Sequence, residues 1–199
     1  MLKNGAVLFL VLIFLAAGAL VSTAHAVNLV TNGGFEYGDL TGWTTLGTFI
    51  AGYNGVRSNQ DGISPYAGDY MLVLGNYTSE GSTGVSQALT TTPGQQYNLS
   101  LYWAENYSNT AGNQLFQVLW DNTVLSSISG ANVTTWTQLS FPVTGTGSDT
   151  IRLQGFSSTG YNYVDNVSVS VSAVPLPAAL LLFGPGLAGL AAFTKRFKV

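Results

Sequence analysis

The sequence predicts an all-β domain, an antiparallel jelly-roll β-sandwich, and three observations carry that prediction. Between residues 27 and 172 apolar and polar side chains alternate in short runs, and no stretch shows convincing helical periodicity. Clusters of Gly, Pro, Asn, Asp and Ser separate the runs at near-regular spacing, as in two face-to-face antiparallel sheets. No internal repeat of about 20 to 50 residues is visible, which argues against a propeller or a solenoid.

The chain opens with Lys3 and an uncharged run, AVLFLVLIFLAAGALVS from Ala6 to Ser22, followed by Ala24-His25-Ala26. An apolar run ending in a small-x-small box predicts an export signal over residues 1–26, with an uncleaved anchor as the alternative. The next runs are YMLVLGNY from Tyr70, TGVSQALTT from Thr83 and QYNLSLYW from Gln96. In the last of these Tyr97, Leu99, Leu101 and Trp103 share one face, and Asn98, Ser100 and Tyr102 the other, the signature of a half-buried strand. LFQVLWDN from Leu115, TWTQLSFPV from Thr135, TIRLQGF from Thr150 and YVDNVSVSV from Tyr163 complete the set. Thr92-Pro93-Gly94, Asp121-Asn122 and Gly145 to Asp149 supply turn chemistry between them.

The sandwich domain, residues 27–172, carries two arginines against nine acids, a net charge of −7, and no lysine. Such a surface repels phosphate backbones, so nucleic acid is excluded as a partner. Cysteine is absent from the chain, which removes disulfides and thiolate metal sites. The single histidine, His25, lies in the leader, so the domain has neither a Ser-His-Asp triad nor a histidine zinc site. A glycosidase needs two facing carboxylates, and the spacing of Glu80 and Glu105 suggests no such pair. The domain is therefore expected not to be an enzyme.

All four tryptophans and all ten tyrosines lie within it. Sugars bind where ring faces stack on their C–H surfaces while amides and acids take the hydroxyls. Tyr102, Glu105, Asn106 and Tyr107, at the end of the QYNLSLYW strand, are the candidate ligand surface, together with Tyr161 and Tyr163. Trp103 and Trp120 fall in phase with leucine and valine and are expected in the core.

From Val174 to Phe193 the chain runs 20 residues without a charge, then ends on Lys195, Arg196 and Lys198. That length matches the roughly 20 residues a helix needs to cross a bilayer, and the basic finish places the terminus on the cytoplasmic side. With Val174-Pro175-Leu176-Pro177 at the head of LLLFGPGLAGLAAFTKR, residues 173–199 resemble the PEP-CTERM sorting signal of Gram-negative bacteria. Leu176 stands where that family usually has Glu. The resemblance implies an exosortase partner, an inner-membrane intermediate held by a transmembrane helix, and final delivery to the cell surface or extracellular matrix.

The domain itself, through NLVTNGGFEYGDLTGW, VSQALTTTPGQQYNLSLYW and YNYVDNVSVS, resembles galactose-binding-like jelly rolls, the fold of many carbohydrate-binding modules. That resemblance implies a structural Ca²⁺ between Glu36 and Asp165, with Asp39 as a third candidate ligand. The functional expectation is an exported, non-catalytic protein that binds extracellular polysaccharide. The alternatives are a structural or adhesive surface protein and, third, a small hydrolase.

Overall fold

The computed structural model describes residues 27–50, 52–76, 83–107, 114–130 and 132–172. The expected signal peptide and the sorting segment, including Val174, Pro175, Leu176, Pro177, Lys195 and Arg196, lie outside the described residues.

Among the described residues nine strands follow in order: β1 Thr44–Leu46, β2 Gly55–Arg57, β3 Met71–Asn76, β4 Thr83–Thr90, β5 Gln96–Tyr107, β6 Gln114–Trp120, β7 Thr123–Ile128, β8 Thr137–Thr144 and β9 Ser148–Val171. Every strand pairing is antiparallel. The long β9 belongs to two layers. Its first half lies between β4 and β6, giving a layer ordered β1-β4-β9-β6-β7. Its second half lies between β3 and β5, giving β2-β3-β9-β5-β8. The bend is visible in the register: β3 partners Asn76 and Leu74 face Ser157 and Asn162.

TIRLQGF and YVDNVSVSV are thus halves of one strand, although the Ser157–Gly160 stretch between them has the composition of a turn. The backbone stays extended there because β3, β5 and β6 all supply ladder partners at the bend.

The two layers bury one apolar core. β5 contributes Tyr97, Leu99, Leu101 and Trp103, β3 Leu72 and Leu74, and the far end of β9 Val164, Val167 and Val169. Val85 and Leu89 of β4, Phe116, Val118 and Trp120 of β6, and Ile151 and Leu153 of β9 come from the opposite layer. Trp103 stacks on Phe116 across the interface at 5.9 Å. Side chains of this size each stabilise by about 1.5–3 kcal/mol when fully buried.

The Thr92-Pro93-Gly94 turn forms as expected, with Gly94 at φ 78° and Gln95 N–H donating to Thr92 O. The N-terminal segment joins the second layer without a strand of its own. Leu29 N–H donates to Val169 O and Val167 N–H to Gly33 O. Gly33 permits this approach, since a Cβ there would sit 2.0 Å from Val167 O.

Candidate functional site

Alternation along β5 sorts the candidate ligand residues. Leu99, Leu101, Trp103 and Glu105 face inward, while Ser100, Tyr102, Ala104 and Asn106 face outward on the second layer. The ladder with β9 then sets Tyr102 opposite Asp165, Ala104 opposite Tyr163, Glu105 opposite Asn162, Asn106 opposite Tyr161 and Tyr107 opposite Gly160. The structure therefore gathers all six candidates into one stretch of ladder.

Their roles differ from the expectation. Glu105 is 1 % exposed and faces the interior, so it is not part of a ligand surface. Tyr161 and Tyr163 face outward but are buried in a second apolar cluster with Met71, Val73 and Ala104, covered by Ile63 and Trp136. They form the floor of the face rather than its stacking surface. Burial pushes the Tyr163 phenol upward and Asp61 adds to this, while the Asn106 side chain opposes it. The Tyr107 side chain lies outside the described residues. Tyr102 and Asn106 remain half-exposed.

The cover comes from the segment between β2 and β3, residues 58–70. Asp61 at φ 51° and Gly62 at φ 83° turn it back, and Gln60 and Ile63 bond each other across the turn. Tyr66 then lies flat on Tyr102, with ring centroids 3.5 Å apart and planes 12° apart. Trp136 meets Tyr66 edge-on at 6.2 Å and donates from Nε1 to Ser64 O at 3.0 Å. Asn106 Nδ2 donates to Asp61 O at 3.5 Å, tying the strand end to the same segment. Tyr66 is 42 % exposed, so its ring keeps surface open to solvent. Tyr66 and Trp136 are the residues that the sequence reading passed over: Tyr66 sits in no alternating run, and Trp136 stands just ahead of β8 in TWTQLSFPV.

A second polar face lies on the other layer. Arg152, Gln154 and Phe156 alternate with the inward Ile151, Leu153 and Gly155 on β9. Gln154 Nε2 donates to Gln117 Oε1 at 3.1 Å, and Gln117 Nε2 to Ser127 Oγ at 3.3 Å. Arg152 Nε is buried without a hydrogen-bond partner.

Glu36 and Asp165 both flank Gly34. A Cβ on Gly34 would lie 3.5 Å from Glu36 Cγ and 3.9 Å from Asp165 Oδ1. Glu36 accepts from the amides of Asp69 and Tyr70 at 2.9 and 3.1 Å. Asp165 accepts from Ala67 at 3.1 Å and Asn166 at 2.6 Å. Burial pushes the Asp165 carboxyl up to about 6; backbone amides of Ala67, Asn166 and Tyr66 oppose the shift, and the Glu36 charge adds to it. Asp39 is engaged elsewhere, accepting the Thr41 amide at 2.8 Å. Among the described residues no three His, Cys, Asp or Glu side chains form a metal-binding group. Each of the four carboxylate oxygens of the pair accepts a backbone amide.

No family model matches the chain, and no curated protein matches it. Its fold matches solved structures. The carbohydrate-binding module TmCBM61, solved with beta-1,4-galactotriose, has 14% identity and TM-score 0.59 over 74% of this chain and 100% of that chain. The CBM22-1 xylan-binding domain of Xyn10C from Paenibacillus barcinonensis has 15% identity and TM-score 0.52, covering 77% and 100% respectively. The K1 cleaved adhesin domain of Lys-gingipain from Porphyromonas gingivalis W83 has 16% identity and TM-score 0.53, covering 70% and 96%. Identities this low establish fold alone: the chain is an antiparallel jelly-roll sandwich of the kind seen in carbohydrate-binding modules.

Proposed function

We propose that this protein is an exported, non-catalytic polysaccharide-binding domain, delivered to the cell surface or matrix by its terminal segments. The observation that carries the reading is the Tyr66–Tyr102–Trp136 ring cluster. It stands on a rigid sheet and is rimmed by the Asn106 amide and the Asp61 segment. Stacked rings fixed by their own packing offer a sugar face an anchor at little entropic cost. Of the acids a hydrolase would need, Glu105 is interior and Glu80 lies outside the described residues.

Affinity electrophoresis on β-1,4-galactan, xylan and the producing organism's own matrix polysaccharide tests this. Tyr66→Ala should weaken retention roughly ten-fold, the order of one lost stacking anchor, at about 1.4 kcal/mol. Gln117→Ala, on the opposite layer, should leave retention unchanged. Retention on none of the polysaccharides would sink the proposal. If Gln117→Ala weakens retention and Tyr66→Ala does not, the sugar face is the one around Arg152.

The likeness to an adhesin domain favours a second reading, a surface protein making protein contacts without sugar. Concentration-dependent self-association in sedimentation, with no polysaccharide retention, marks that outcome. Intact mass of the product from its native host tests the two processing steps, at Ala26 and near the Val174-Pro175-Leu176-Pro177 motif.

The proposal includes a structural Ca²⁺ at Glu36 and Asp165. Such an ion ties the first segment of the domain to its last strand. Millimolar Ca²⁺ should raise the melting midpoint at pH 7 by several degrees, and less at pH 5, where Asp165 is protonated. Asp165→Asn should abolish most of that rise. An equal rise in the variant would show that the ion binds elsewhere.

A further inference from the structure

The segment that carries Tyr66 belongs to neither ladder. Residues 58–70 form no strand with the sheet, and Ser64, Tyr66, Ala67, Gly68 and Asp69 are all exposed. Ile63 and the Trp136 bond to Ser64 O hold the first half of the segment down. Tyr66 nevertheless lies flat on Tyr102 at 3.5 Å, so the half beyond Ser64 must be placed by other ties.

Those ties run from the backbone to two acids. Asp165 on β9 is the ladder partner of Tyr102 on β5, so the two side chains rise side by side from one face. Ala67 N–H donates to Asp165 Oδ2 at 3.1 Å, and the Tyr66 amide also bonds this carboxylate. The next two amides, of Asp69 and Tyr70, donate to Glu36 at 2.9 and 3.1 Å. Gly68 sits between the two grips at φ 69°, where a Cβ would stand 2.4 Å from the Glu36 carboxyl carbon. Glycine therefore lets the backbone wrap the acids this closely.

The two acids are not equal. Asp165 is 0 % exposed and stands on the strand beside Tyr102, whereas Glu36 is exposed on the N-terminal segment. Amide bonds to a buried carboxylate are stronger than bonds between neutral groups or in open solvent. Asp165 is thus the firmer grip, and it acts on the amides of Tyr66 and its neighbour.

We propose that Asp165, with Glu36 as a second grip, is the positioning residue of the stacking site: it holds the Tyr66 backbone so that the ring stays over Tyr102. Asp165 itself touches no ligand, because it is closed off from solvent under the segment it holds. The assignment deepens the sugar-binding reading and rests on it for the ligand. It requires no bound ion.

Near-UV circular dichroism and affinity electrophoresis on the full chain, in detergent with chelator present, test it together. Every tryptophan and tyrosine lies in the sandwich domain, so the near-UV signal reports on that domain alone. The difference between wild type and Tyr66→Ala defines the contribution of the stacked ring. Asp165→Asn should remove most of that contribution while the far-UV spectrum stays that of a folded sandwich, and should weaken polysaccharide retention roughly five-fold. In the Tyr66→Ala background the same substitution should add no further loss, because no ring is left to place. Glu36→Ala, at an exposed residue, should give a smaller change of the same kind and carries the test if Asp165→Asn does not fold. Equal losses with and without Tyr66, or a ring contribution untouched by both substitutions, would overturn the assignment. If wild type retains no polysaccharide, the sugar-binding reading fails, and the ring signal then decides the positioning role by itself.

Discussion

Asp149→Asn should destabilise the domain by about 2–4 kcal/mol, because it breaks a buried carboxylate network that accepts from both flanking turns. Asp149 is 0 % exposed and accepts from the Thr91 hydroxyl, from Thr146 Oγ1 at 2.8 Å, and from Thr146 N–H at 2.9 and 3.2 Å. Thr91 Oγ1 in turn accepts from Gly147 N–H at 3.0 Å. The β8–β9 turn is thereby pinned to the β4–β5 turn. An asparagine cannot accept on both sides, and its NH₂ would face an N–H or O–H donor.

Burial alone would raise the Asp149 carboxyl, but the bonds from Thr91 and Thr146 outweigh it and hold the group below the ordinary aspartate value of 3.8. Its stabilisation is therefore present above pH 3.8 and is lost as pH falls through the lower folded value. Urea unfolding at pH 7 gives the measurement. A change in midpoint equivalent to less than about 0.5 kcal/mol would show that the network contributes nothing net.

Glu105→Gln should have the opposite sign at alkaline pH. In the folded protein the Glu105 carboxyl is raised from 4.5 to about 8 by burial. The sign follows directly: the uncharged form is favoured in the fold, so its contribution is complete below pH 4.5 and is lost as pH rises through 8. Ionising a group so displaced costs on the order of 3–5 kcal/mol. In salt-poor buffer with chelator, wild type should lose stability between pH 5 and 8.5, while Glu105→Gln should lose much less. Asp165, raised to about 6, adds a smaller decline in the acidic part of that range which both proteins share. Parallel stability curves for the two proteins, from urea midpoints at three pH values, would refute the assignment.

The sheet-built class was legible because period-two alternation is written wherever one face of a strand is buried. β5 shows this: Tyr97, Leu99, Leu101 and Trp103 lie in the core as their phase requires, and Trp120 joins them. Continuing that phase puts Glu105 inward too, so its interior position could have been read from the same pattern. Grouping it with Tyr102 and Asn106 mixed the two faces. β1, β2 and β7 went unread because they are short and partly exposed, so burial imposes no regular pattern on Thr44–Leu46, Gly55–Arg57 or Thr123–Ile128. The continuous β9 was hidden by Ser157–Gly160, whose composition favours a turn until three neighbouring strands keep it extended through the bend.

By itself, the sequence determined an acidic, histidine-free and cysteine-free β-domain, and the inward or outward direction of each residue along its longest alternating run. Only the tertiary structure decided which outward residues meet solvent. Tyr161 and Tyr163 are buried, whereas Tyr66 presents a ring, because residues 58–70 fold back over that part of the sheet. Alternation is a local property of the extended backbone. Burial depends on what distant chain comes to lie on top, and no local pattern encodes that.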